Sequence, residues 1–131
     1  MKKILLVDDE ESFCYFVKKN LELTGEFKVF TANNGEEGLE IARKERPDLI
    51  LLDIFMPGMS GSEVAAKLQE DAFLSQIPVA FLTAMAQKEE VEDGLIKKKS
   101  ERLFLAKPIT PEELATAIKK ILERREVDFK K

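Results

Sequence analysis

The chain has 131 residues, 44% of them hydrophobic, which suits one domain built around one core. Its 21 lysines and arginines against 25 aspartates and glutamates leave a net charge of −4, without the clustered basic character of a nucleic-acid binder. No apolar stretch approaches bilayer-spanning length. The basic start Met1-Lys2-Lys3 leads only into a short apolar run that meets Asp8-Asp9, so it does not make an export signal. A cytoplasmic location without membrane or direct nucleic-acid contact is therefore expected.

Apolar runs of strand length alternate with segments of helical period. The first strand is predicted over Lys3 to Asp8, and Phe13, Phe16, Val17 and Leu21 then recur at helical spacing until Gly25. Phe27 to Ala32 is the second strand; Lys28 and Thr31 make it the most polar, which places it at a sheet edge. Asn34 followed by Glu37 is a capping pattern that opens a second helix carrying Leu39, Ile41 and Ala42. Pro47 ends it. Asp48 to Asp53 is a near-continuous apolar strand, as expected for burial on both faces. Pro57-Gly58-Met59-Ser60-Gly61 is a loop, and Val64, Ala65 and Leu68 mark the third helix. Pro78 starts the fourth strand. Ala86 to Lys98 reads as a fourth helix, with Lys97-Lys98-Lys99 as its solvated end. A fifth strand runs from Arg102 to Lys107. Thr110-Pro111-Glu112-Glu113 is a strong helix start, and Leu114, Ile118, Ile121 and Leu122 follow as an apolar stripe.

Five rounds of strand then helix predict an α/β protein with a parallel sheet covered on both faces. The polar second strand fits the flavodoxin-like order 2-1-3-4-5, a (βα)5 three-layer sandwich. Residues 1–124 form the domain in this reading, and 125–131 are a charged tail or the start of a linker.

Four strand ends carry polar residues: Asp8-Asp9, Asp53, Thr83 and Lys107. Ligands of open parallel sheets bind beyond the carboxyl ends of the strands, so these groups are expected to share one crevice. Two carboxylates 4 Å apart repel by about 4 kcal/mol at an effective dielectric near 20. Without a cation, one of the three acids should hold its proton more tightly than a free aspartic acid. Histidine is absent and Cys14 is the only cysteine, so a metal would be held by oxygen, and magnesium suits carboxylates and phosphate oxygens together. Lys107 offers a point charge to an anionic group, and Pro108 pins the backbone beside it. Thr83 donates a hydrogen bond, with small Ala84 behind it. Cys14, among Phe13, Phe16 and Val17, reads as a small buried hydrophobe.

The ordered motifs Ile4-Leu5-Leu6-Val7-Asp8-Asp9-Glu10, Leu51-Leu52-Asp53-Ile54-Phe55-Met56-Pro57-Gly58-Met59-Ser60-Gly61, Phe81-Leu82-Thr83-Ala84 and Leu105-Ala106-Lys107-Pro108 resemble the receiver domains of two-component response regulators. The likeness runs from Lys3 to about Leu122. It implies that Asp53 accepts a phosphoryl group from a sensor histidine kinase or phosphotransfer protein. Asp8, Asp9, Asp53 and the backbone carbonyl of Phe55 would hold magnesium, with manganese as a substitute. Lys107 would bind the phosphoryl group and Thr83 would close on it. Phe104, three residues before the lysine, stands at the family's switch-aromatic position. The surface around the fourth helix, fifth strand and fifth helix would then signal to an output protein or domain that the sequence does not name. Dimerisation on phosphorylation is compatible with the family, although no residue here argues for it. Such a domain phosphorylates and dephosphorylates itself but is not otherwise an enzyme.

Ser60 stands where the family often has an acid, and the charged stretch Gly94 to Glu101 replaces its usual small-residue turn. Phe55 and Met85 are bulky at positions that bear on the hydrolytic water. The main alternative is a receiver-like interaction module that works without phosphate. A phosphatase that passes through an aspartyl phosphate would want an acid two residues after the nucleophile, where this chain has Phe55.

Overall fold

In the computed structural model, residues 1–83, 91–92, 95–97, 103–107 and 109–130 are described, with the side chains of 1–83, 103–107 and 109–124. The elements are β1 (Lys2–Val7), α1 (Glu11–Leu23), β2 (Phe27–Ala32), α2 (Gly35–Glu45), β3 (Leu49–Asp53), α3 (Gly61–Glu70), a 3₁₀ turn (Leu74–Gln76), β4 (Val79–Thr83), β5 (Val91–Glu92), β6 (Leu95–Lys97), β7 (Leu103–Ala106) and α4 (Pro111–Lys130). One sheet runs in the order β2-β1-β3-β4-β7-β6-β5. Its parallel part, β2-β1-β3-β4-β7, is the expected five-stranded 2-1-3-4-5 arrangement, with polar β2 at the edge.

The strands alternate their side chains between two cores, as a period of two requires. Ile4, Leu6, Leu49, Leu51, Leu82 and Leu105 face one side, where Cys14, Val17 and Leu21 of α1 and Leu114, Ile118 and Ile121 of α4 cover them. Leu5, Val7, Ile50, Leu52 and Phe81 face the other, under Leu39 and Ala42 of α2 and Val64 and Leu68 of α3. The result is three layers. β3 is buried along its whole length, in keeping with its unbroken apolar run.

Local chemistry sets the helix ends. Asn34 accepts a hydrogen bond from the Glu37 N–H at 2.8 Å. At α4 the capping box closes in both directions: the Glu113 N–H donates to Thr110 Oγ1 at 3.1 Å and the Thr110 N–H donates to Glu113 Oε1 at 3.2 Å. Ser60 caps α3 by accepting from the Glu63 N–H at 3.2 Å, which gives that residue a structural task. Gly25, just past α1, takes φ +77°, the left-handed conformation glycine adopts without a Cβ penalty.

The expected fourth helix over Ala86 to Lys98 requires a correction. At Val91–Glu92 and Leu95–Lys97 the chain is extended, in an antiparallel pair whose inner strand β6 also runs antiparallel to β7. The rest of that segment lies outside the described residues. Val91 and Leu95 are four apart, a spacing that suits a helix, but pairing with the open edge of β7 outweighed it. Tertiary context commonly overrides local preference in this way. Residues 125–130 continue α4 in the backbone.

Candidate functional site

Parallel register brings the carboxyl ends of β1, β3, β4 and β7 to one side of the molecule. Asp8 follows β1 and is fully buried, Asp53 closes β3 and is almost so, and Thr83 closes β4 and is likewise buried. Asp9 is exposed. The three aspartates each offer an oxygen within 4.8 Å of the others'. Acids 44 residues apart in the sequence thus form one cluster at the switch point, where helices on opposite faces leave a crevice.

Lys107 reaches into the same cluster. Its Nζ donates to Asp8 Oδ2 at 2.6 Å and stands 3.9 Å from Asp53 Oδ2 and 3.8 Å from Glu10 Oε1. The Lys107 N–H donates to the Thr83 carbonyl at 2.8 Å, which ties the lysine backbone to the end of β4. Asp8 is held on every side. Its Oδ1 accepts from the Glu10 N–H at 3.0 Å, and its carbonyl accepts from Asn33 Nδ2 at 3.1 Å and from the Cys14 thiol at 3.3 Å. Among the described residues, no buried side-chain nitrogen or oxygen lacks a partner.

The electrostatics follow from this crowding. Burial, then the charge of Asp8, pushes the Asp53 carboxyl up to about 6, although Lys107 and a backbone hydrogen bond from Phe55 pull the other way. Asp53 therefore keeps its proton more tightly than a free aspartic acid does. Burial alone would lower the Lys107 pKa, but the hydrogen bond and charge of Asp8, joined by Asp53 and Glu10, raise it above the ordinary lysine value. Burial and the charge of Asp8 lift the Cys14 thiol to about 12, so it stays an un-ionised, inert packing group.

Two buried carboxylates and one exposed one, close together, fit a hard divalent cation. Phe55 lies in the loop after β3 and is 65% exposed. Phe104 is half-buried on β7 and stacks on Phe81 with ring centroids 5.4 Å apart. Gly61 is part of the site's frame. Its N–H donates to the Ile54 carbonyl at 3.0 Å, and a Cβ there would collide with the Asp53 backbone carbonyl. Three neighbours of the cluster were not singled out in the sequence: Glu10, Asn33 and Phe13, the last with its ring 4.7 Å from Lys107 Nζ. Phe13 sits at helical spacing and reads as core. Asn33 reads as turn chemistry, and only the fold turns its amide toward Asp8.

A family model described as response regulator receiver domain matches residues 4–119. Over 126 residues the chain is 40% identical to the alkaline phosphatase synthesis transcriptional regulatory protein PhoP of Bacillus subtilis, covering 96% of this chain and 50% of that protein. It is 38% identical over 122 residues to Protein PilH of Pseudomonas aeruginosa, covering 93% of this chain and 98% of PilH. The chain therefore spans about half the length of the first relative and nearly all of the second. Among solved structures, the chemotaxis response regulator CheY4 of Vibrio cholerae superimposes with a TM-score of 0.77 at 32% identity, over 92% of this chain and 98% of that one. A CheY-like receiver domain protein from Methanospirillum hungatei does so with a TM-score of 0.78 at 27% identity, over 98% of each chain. The chain belongs to the response-regulator receiver domains of two-component signalling, a class of signalling domains that are generally not enzymes. Among the described residues, no helix is long and apolar enough to cross a membrane.

Proposed function

We propose that this domain accepts a phosphoryl group on Asp53 from a phosphohistidine of a sensor kinase or phosphotransfer protein. The observation that carries this reading is the convergence of Asp8, Asp9, Asp53 and Lys107 at one end of the sheet. An ionised Asp53 oxygen attacks phosphorus; a P–O bond forms, the P–N bond breaks, and the imidazole leaves with the bonding electron pair. Phosphoryl transfer asks for alignment and charge neutralisation more than for covalent chemistry. Asp8, Asp9 and Asp53, with the Phe55 backbone carbonyl, would hold magnesium. When bound, that ion neutralises the carboxylates and the transferring oxygens. Lys107 moves from Asp8 toward the incoming phosphoryl oxygens, a shift its flexible stem permits.

Thr83 donates its hydroxyl to the phosphoryl group, and Phe104 changes its packing as β4 draws in. The phosphorylated state is favoured by the free energy of those contacts, so an output partner that prefers it must stabilise the phosphorylated domain in return. The face that changes is carried by β7 and α4. The output is a partner protein or a further domain. A pair of phosphorylated domains is a second form of output, distinguished by size.

The test is labelling by a small phosphodonor such as acetyl phosphate. With magnesium, the parent should gain one phosphoryl group by intact mass, and Asp53→Asn none. Equal labelling of the two would overturn the acceptor assignment. A parent that takes no label and shows no change of spectrum or size with beryllofluoride and magnesium would favour the phosphate-independent interaction module. Multiple turnover on phosphate esters would favour a phosphatase.

A further inference from the structure

We infer that Phe13 is a positioning residue for Lys107: its ring face cradles the ammonium and holds it over the acid cluster. The ring centroid lies 4.7 Å from Lys107 Nζ, within the range in which a cation is attracted to an aromatic face. Phe13 belongs to α1 and packs against the core that contains Cys14, Val17 and Leu114, so the ring is anchored by packing that does not depend on the Lys107–Asp8 contact.

The physical need is specific to this site. The Lys107 ammonium has three carboxylates to choose from, at 2.6, 3.8 and 3.9 Å. The shortest contact is with Asp8, a proposed cation ligand, and not with Asp53. For phosphoryl transfer the ammonium must leave Asp8 and face the phosphoryl oxygens with its N–H donors free. A salt bridge ties the ammonium to one acceptor oxygen, whereas an aromatic face attracts the charge through its quadrupole without fixing it to a single acceptor. Once the ammonium leaves Asp8, the four-carbon stem of lysine has rotatable bonds along its length. Phe13 therefore retains the charge near the cluster while its hydrogen bonds exchange. A leucine would fill the space but could not attract the cation.

This role rests on the phosphoacceptor reading, but the pairing itself is measured without it. In the unphosphorylated parent, nuclear Overhauser contacts should connect the Phe13 ring to the Lys107 ε-methylene, whose protons should be shifted upfield by the ring. Absence of both overturns the pairing, whatever the labelling result. For the role, Phe13→Leu should lower the maximal rate of labelling by acetyl phosphate by at least roughly two- to fivefold, the range of a solvent-exposed cation–aromatic contact and so a floor for this partly buried one. Phe13→Tyr, which keeps the ring, should recover most of the loss. Parental rates in Phe13→Leu, or an equal loss in Phe13→Tyr, would overturn the positioning role. If Phe13→Leu does not fold by circular dichroism, the Overhauser contacts and the Phe13→Tyr rate decide. A parent that is never labelled removes the phosphoacceptor reading instead, with the ring–lysine pairing still judged by its spectrum.

Discussion

Asp53 is held in the fold at a cost to stability, and the cost has a sign and a pH window. Its pKa rises from 3.8 to about 6, first because of burial and then because of Asp8. The folded state thus binds this proton more tightly than the unfolded chain does. The stabilisation from the bound proton is complete below the unfolded value of 3.8 and is lost as pH rises through about 6. The difference between 3.8 and about 6 corresponds to about 3 kcal/mol as a ceiling, and relaxation of the protein and of water at the crevice mouth reduces it to about 1–3 kcal/mol. Asp53→Asn removes the charge with little change in shape. In chelator at pH 8 it should be more stable than the parent by about 1–3 kcal/mol, or roughly 1 M in the urea midpoint. At pH 4 the two should nearly coincide. Magnesium should stabilise the parent more than the variant and narrow the gap. Urea titrations of both proteins at several pH values, with and without magnesium, measure all three outcomes. A variant no more stable than the parent at pH 8 in chelator would refute the claim that the cluster strains Asp53.

Two further outcomes test the frame around the site. Gly61→Ala forces a methyl group against the Asp53 backbone carbonyl, so it should cost about 1–3 kcal/mol by overpacking and slow labelling of Asp53. Thermal melting and labelling rates check this, and a neutral result would mean that the loop after β3 yields freely. Asp9 is exposed, and Asp9→Asn should change stability by less than about 0.5 kcal/mol. Loss of even an outer-shell partner commonly weakens metal binding by about 10–100-fold, and loss of a direct ligand should cost no less. The magnesium needed for half-maximal labelling should therefore rise by about tenfold or more; unchanged demand would remove Asp9 from the ligand set.

The alternation of apolar runs with helical stripes carried the layer architecture, because burying β3 on both faces demands an unbroken apolar stretch and helices above and below it. Caps at Asn34 and Thr110 were equally legible, since each is a contact between residues three apart. The strand ends of the candidate site could be read for the same reason: polar residues stopped each apolar run. What no local pattern contained was the contact between Lys107 and Asp8, 99 residues apart, or the choice of Asp8 over Asp53 as the nearer partner. The ring of Phe13 under the ammonium and the amide of Asn33 on Asp8 are likewise products of packing. The stretch at Val91–Glu92 and Leu95–Lys97 marks the boundary most clearly. Its spacing permits a helix, and the Asp93-Gly94 dipeptide favours a hairpin, so neither periodicity nor turn chemistry could decide. The unpaired edge of β7 decided at those residues, because backbone hydrogen bonds to an open strand exist only once the sheet has formed.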